Sequence, residues 1–282
     1  MPYTLSHASF AYTIGQRFNC FSDRESLSLF MLGSQGPDIF FYDRLPPTPF
    51  IPNQKIIGNL LHSLPCDQLV RILLSVCTND FIPFSYGFLT HIALDSTVHP
   101  YICAMHTGLD HTRFEGQIDS IMYHRFKDSI PFTDLFYKPA SLSGLDSLVN
   151  HLCMLSLGRY IPGAYERSVR KMLRLFPILF DPCGKRYKTV LKAEHIIGID
   201  HALSGFFLAA DRSPFEDCMN DRHAVWYALH FPDVPRTENV DTLFSNASQF
   251  AESLITSVQS GEYKRAELLC KNLTMSDGPL PL

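Results

Sequence analysis

Apolar positions along the chain recur at helical spacing far more often than at strand spacing. Leu27, Phe30 and Met31 form an apolar stripe behind Ser22-Asp23-Arg24-Glu25, which has capping-box spacing, and the stripe stops at Gly33. That pattern predicts a short helix. Gly36-Pro37-Asp38 cannot continue it, and Pro46, Pro47, Pro49 and Pro52 keep the chain irregular until Ile56, Ile57, Leu60 and Leu61 resume helical spacing. Asp38 is therefore expected on a loop and His62 near a helix end. Apolar residues at i, i+3 and i+4 also mark helices over 66–79, 84–98, 112–126, 144–157, 188–210 and 242–260, while alternating patterns bounded by hairpin turns are scarce. The expected class is all-α. No linker or fixed-period repeat divides the chain, so a single multi-helix domain is expected over residues 1–275, followed by a short tail, 276–282.

Composition narrows the function classes. With 46% hydrophobic and 18% charged residues in 282, the chain reads as an ordinary globular protein, which excludes disorder. Basic residues number 24 against 28 acidic ones, and a net charge of −4 lacks the excess that drives counterion release from a polyphosphate, so no stable nucleic-acid partner is expected. The opening MPYTLSHASFAYTIG has neither a basic nor an apolar leader region, and no run reaches the roughly 18 apolar residues a membrane span needs; a cytoplasmic protein is expected. Eight cysteines, at 20, 66, 77, 103, 153, 183, 218 and 270, include no C-x-x-C pair and are read as reduced core thiols.

The stretch from Gly87 to Pro100 carries the chemistry. His91, Asp95 and His99 are each four residues apart, so on a helix they lie along one face and can converge on a metal ion. Pro100 disfavours helical geometry at His99, which is expected to end the helix and swing that imidazole toward a second site. His111 and Glu115 repeat the i, i+4 spacing twelve residues on. One such pair alone is more often a hydrogen-bonded surface pair than a ligand set. Two pairs, with His7, Asp38 and His62 at expected helix boundaries, make a metal-ligating constellation the better reading.

Taken in order, Ser6-His7, Gly36-Pro37-Asp38, His62, His91-x3-Asp95, His99 and His111-x3-Glu115 resemble the zinc-dependent phospholipase C family, which is related to the S1/P1 nucleases. The resemblance covers residues 1 to about 125 by motif and is loose around Trp226 and the final helices. It implies an all-α fold around two or three zinc ions. Carried over, Asp38, His62, His91 and Asp95 hold one zinc, and His99, His111 and Glu115 hold another. Asp95 bridges to a third, completed by His7 and the chain terminus. Secreted members supply a terminal tryptophan there; here the only tryptophan is Trp226, and removal of Met1 would leave the amine of Pro2 five residues before His7. This points to an intracellular branch.

The implied reaction is phosphodiester hydrolysis, with a metal-activated hydroxide attacking phosphorus. Asp38 is either a catalytic residue that orients or deprotonates the water, or a plain ligand. Glu115 favours the phospholipase branch, since the nucleases tend to carry aspartate there. The expected substrate is then a lipid-derived phosphodiester, reached through peripheral membrane contact. A single-strand nuclease or nucleotidase is the alternative enzyme, and a non-catalytic, metal-stabilised helical binding protein is the alternative from another class. Phe40, Phe41 and Tyr42 could wall a cationic headgroup, though core packing is the commoner fate of such aromatics. Residues 167–192 hold eight of the 24 basic residues, either facing anionic lipid or as a solvated helix face. Asp200-His201 and Asp221-Arg222-His223 read as structural pairs. The absence of H-E-x-x-H, G-x-S-x-G, P-loop and Glu-x-x-His motifs excludes the corresponding sites.

Overall fold

Helices form where the apolar stripes predict them and along three further stretches. The computed structural model describes residues 4–44, 55–106, 108–198, 203–210, 215–275 and 278–279. Its helices are α1 (Thr4–Arg17), α2 (Arg24–Ser34), α3 (Lys55–His62), α4 (Cys66–Val76), α5 (Ile82–Met105), α6 (Gly108–Phe126), α7 (Leu142–Leu157), α8 (Ala164–Leu179), α9 (Lys185–Ile197), α10 (Val240–Gln259) and α11 (Tyr263–Leu269). Two small antiparallel pairs, β1 (Trp226–Ala228) with β2 (Phe231–Arg236) and β3 (Leu273–Thr274) with β4 (Gly278–Pro279), are appended to this all-α fold. Part of the expected tail is thus paired. One hydrophobic cluster runs from Leu5 in α1 to Met275. No helix among the described residues is long and apolar enough to cross a membrane.

The unpredicted helices are α1, α8 and α11. For α8 the signal was present, since Tyr165, Val169, Met172 and Phe176 lie on one buried stripe between the arginines and lysines. The basic segment is therefore mostly the outer faces of α8 and α9, and some of its cations serve local structure. Lys171 donates to the Asp43 carbonyl, and Arg186 donates to the carbonyls of Pro177 and Phe180.

Several boundaries differ from expectation. The cap of α2 is Asp23, which accepts from the Ser26 N–H while the Ser26 hydroxyl engages the Asp23 N–H, so the box is one residue later than Ser22 and Glu25 suggest. Glu25 instead accepts from the Ala140 N–H, the Ser141 N–H and the Ser141 hydroxyl, tying α2 to the start of α7. Gly33 is no stop, because α2 continues to Ser34. A Cβ there would lie 2.1 Å from the Phe84 carbonyl oxygen, and one at Gly87 would lie 2.0 Å from that of Phe30. These glycines let α2 and α5 cross at backbone contact.

Pro100 does not end α5, which runs on to Met105. The proline forgoes one helical hydrogen bond, a cost of ~3 kcal/mol or more. Burial of Tyr101 and Ile102 just beyond it returns roughly 1.5–3 kcal/mol each. The helix expected over 188–210 stops at Ile197, because Gly198 takes the left-handed cap position at φ 70°. Five cysteines are buried thiols, but Cys77 and Cys103 are half-buried and Cys183 is exposed; none is in a disulfide. The proline-rich stretch 46–52, the terminal Pro2, and Asp200 with His201 lie outside the described residues. His223 sits in a left-handed turn with its Nδ1 on the Thr237 carbonyl, a structural placement.

Candidate metal centre

Five elements bring the predicted ligands together. His7 comes from α1, Asp38 from a 3-10 helix at Gly36–Arg44 rather than a loop, His62 from the last residue of α3, His91, Asp95 and His99 from α5, and His111 and Glu115 from α6. The central helix α5 is buried on nearly all sides, which is why it can carry an ionisable face into the core.

In the first cluster, Asp95 is the hub. His7 Nε2 lies 3.1 Å from Asp95 Oδ1, whereas His62 Nε2 and His91 Nε2 lie 3.4 and 3.3 Å from Oδ2. His62 Nε2 is also 3.2 Å from Asp38 Oδ1. The rings of His7 and His91 stack with centroids 4.4 Å apart. In the second cluster, His99 Nε2 and His111 Nε2 are 3.1 Å apart, and Glu115 Oε1 lies 3.2 Å from His111 and 3.7 Å from His99. His99 reaches this cluster from inside a continuous helix, not by swinging off a helix end. No side chain is common to the two clusters.

The rings are oriented by backbone carbonyls. His62 Nδ1 donates to Gly58 at 2.8 Å, His91 Nδ1 to Ser34 at 3.1 Å, His99 Nδ1 to Met275 at 3.3 Å and His111 Nδ1 to His106 at 3.3 Å. A carbonyl oxygen only accepts, so each Nδ1 carries a proton, and in the neutral ring the lone pair is on Nε2. Those Nε2 atoms all face carboxylate oxygens or one another. His91 Nε2, fully buried, makes no hydrogen bond at all. Lone pairs facing lone pairs call for a cation between them, a proton or a metal.

The charges tell the same story. Burial and the neighbouring His91 lower the His7 pKa, keeping that ring neutral. Burial pushes the carboxyls of Asp38 and Asp95 up, yet the charges and hydrogen bonds of the surrounding histidines hold both below the usual range. Burial disfavours protonated His62, but its bonds to Asp38 and Asp95 raise it to about 10, so with protein atoms alone a proton takes the cationic place. Burial likewise pushes Glu115 up, and the bond and charge of His111 with the charge of His99 oppose it.

The donor set fits zinc. Tetrahedral bonds of about 2.0–2.1 Å place ligand atoms about 3.3 Å apart, and the separations here run from 3.1 to 3.7 Å. Three groups able to hold an ion stand out among the described residues: His7 with Asp38 and His91; His62 with His91 and Asp95; and His99 with Cys103 and His111. Imidazole with carboxylate suits zinc, and carbonyl-anchored Nδ1 atoms are the outer shell such ligands normally have.

Three contributors escaped sequence reading. Cys103 stands in the third group. Asp119 accepts from the N–H groups of Leu5 and Ser6 at 3.0 and 2.8 Å, capping α1 from across the fold and so placing His7. Gly36, at φ 48°, leaves room for the His91 ring, since a Cβ would come within 2.3 Å of it. The spacings His99-x3-Cys103 and Glu115-x3-Asp119 repeat that of His91 and Asp95 and were the available signal. Phe40 and Tyr42 take the commoner fate of core packing and do not wall a ligand: each is 1% exposed, with Phe40 edge-on to Tyr165 and Tyr42 bonded to Thr4. Only Phe41 stays partly exposed, stacked on His62 at 5.8 Å.

Compared with known proteins, the chain matches no family model, no curated protein and no solved structure.

Proposed function

We propose that this chain is a zinc-dependent phosphodiester hydrolase of the phospholipase C type. The observation that carries the reading is the inward set of Nε2 atoms, each opposed by a carbonyl-bound Nδ1, converging on Asp38, Asp95 and Glu115 in two clusters. Zinc held there would supply Lewis acidity toward phosphoryl oxygens and bring a coordinated water into its hydroxide form near neutral pH.

The residues themselves assign the remaining roles. Asp38 is ionised and 15% exposed, at the rim of an otherwise buried cluster, so its carboxylate is placed to orient a water or take its proton. Asp95 and His91, deeper in, serve to hold charge in place. The face of Phe41 beside His62 offers an apolar or cation-binding contact next to Asp38. The net charge of −4 disfavours a polynucleotide substrate and leaves a lipid-derived phosphodiester as the better match.

The test is turnover by zinc-loaded protein of short-chain glycerophospholipids, of single-stranded nucleic acid and of nucleotide phosphodiesters. Release of the phosphorylated headgroup, abolished by chelator and restored by zinc, is the expected result. Nucleotide release alone would move the protein to the nuclease reading. Stable zinc with no turnover of any phosphodiester would leave a metal-stabilised binding protein.

A further inference from the structure

The second cluster holds one donor more than the sequence pattern assigns to it. Cys103 stands one helical turn beyond His99 on α5, and one ligand-type atom each of His99, Cys103 and His111 lies within 4.8 Å of the others. Several of the other cysteines are packing groups. Burial in apolar surroundings pushes the thiols of Cys20, Cys153 and Cys270 to about 12, the environment of inert packing groups. Cys103 is half-buried and is the one cysteine grouped with imidazoles among the described residues.

Resting on the reading that this cluster binds zinc, we propose that the Cys103 thiolate is a protein ligand there beside His99 and His111. With the Glu115 carboxylate, which lies beside both imidazoles, the donors would number four, the count of a closed structural zinc site. The first cluster, with Asp38 at its rim, is then the one that meets substrate. Sulfur also sets selectivity, since thiolate favours zinc over the hard cations that carboxylates alone would admit. Binding is balanced by a proton: zinc displaces the Cys103 thiol proton to solvent, leaving thiolate and carboxylate charges that match the dication.

The experiment loads the full chain with cobalt(II) alone and records its absorption, then repeats it with Cys103→Ser. A near-ultraviolet thiolate-to-cobalt charge-transfer band is expected in the native protein and not in Cys103→Ser. Zinc affinity at one site should fall at least about tenfold in the variant, with the other site unchanged. In the native protein, zinc should also protect Cys103 from iodoacetamide while exposed Cys183 is alkylated equally with and without metal. That second readout decides the matter even if Cys103→Ser folds poorly. Cobalt bound with ligand-field bands but no thiolate band, a thiolate band that persists in Cys103→Ser, or alkylation of Cys103 indifferent to zinc would overturn the assignment and leave the metal centre standing. No cobalt uptake at all would overturn both.

Discussion

Asp95 divides its oxygens between different partners, Oδ1 toward His7 and Oδ2 toward His62 and His91. A carboxylate placed that way can serve two ions that would otherwise repel one another. Asp95→Asn should therefore lose metal and activity together, with turnover down more than about a hundredfold; full metal content and turnover in the variant would sink the shared role. Asp119 offers a pH test. Burial and the charge of Glu115 raise its pKa to about 7 from 3.8, against the bonds from Ser6 and Leu5. Between those values the unfolded chain has released the proton and the folded chain retains it, so stability falls as pH rises from about 4 to about 7 and is flat above. Subtracting the denaturation profile of Asp119→Asn from that of the native protein should show this slope; parallel profiles would contradict it.

At the scale of elements, the position of one ring depends on how closely two helices approach. The crossing of α2 and α5 at Gly33 and Gly87 brings the Ser34 carbonyl onto His91 Nδ1. Gly87→Ala should force the helices apart, costing at least about 2 kcal/mol in denaturant melts and weakening metal binding; a variant with native stability and affinity would show that the crossing is not tight. The two ligand pairs on α5 and α6 form a separate unit. His111→Ala should remove one zinc equivalent while the ion of the Asp38 cluster stays, as read by elemental analysis, and loss of both without unfolding would refute the partition. Much of this was legible in the chain: i, i+4 spacing alone put His91 with Asp95 and His111 with Glu115. What spacing could not show were long-range acts, such as Asp119 capping α1 or Pro100 riding through a helix whose far side is held by buried Tyr101 and Ile102. Core packing was the commoner expectation for Phe40 and Tyr42, but position along the chain could not decide it, since an aromatic run reads alike whether it faces a core or a ligand.

For the molecule as a whole, the fold wraps its main apolar cluster around a helix that bears charge at its centre. Burying so many titratable groups without a cation would be costly, because carboxylates and imidazoles removed from water need a compensating charge. A proton on His62 supplies one such charge, and although burial opposes it, the bond and charge of Glu115 raise His111 toward another, but the buried Nε2 of His91 still makes no hydrogen bond. Metal ions in the two clusters would answer these groups and would tie α1, α3, α5 and α6 to one another. The most direct measurement is the zinc content of the full chain by elemental analysis, after purification without chelator and dialysis against zinc-free buffer. Two or three zinc per chain, retained through dialysis, is the predicted result. Less than one per chain, unchanged after incubation with excess zinc, would mean that the histidines and carboxylates form a proton-bridged network and no metal centre.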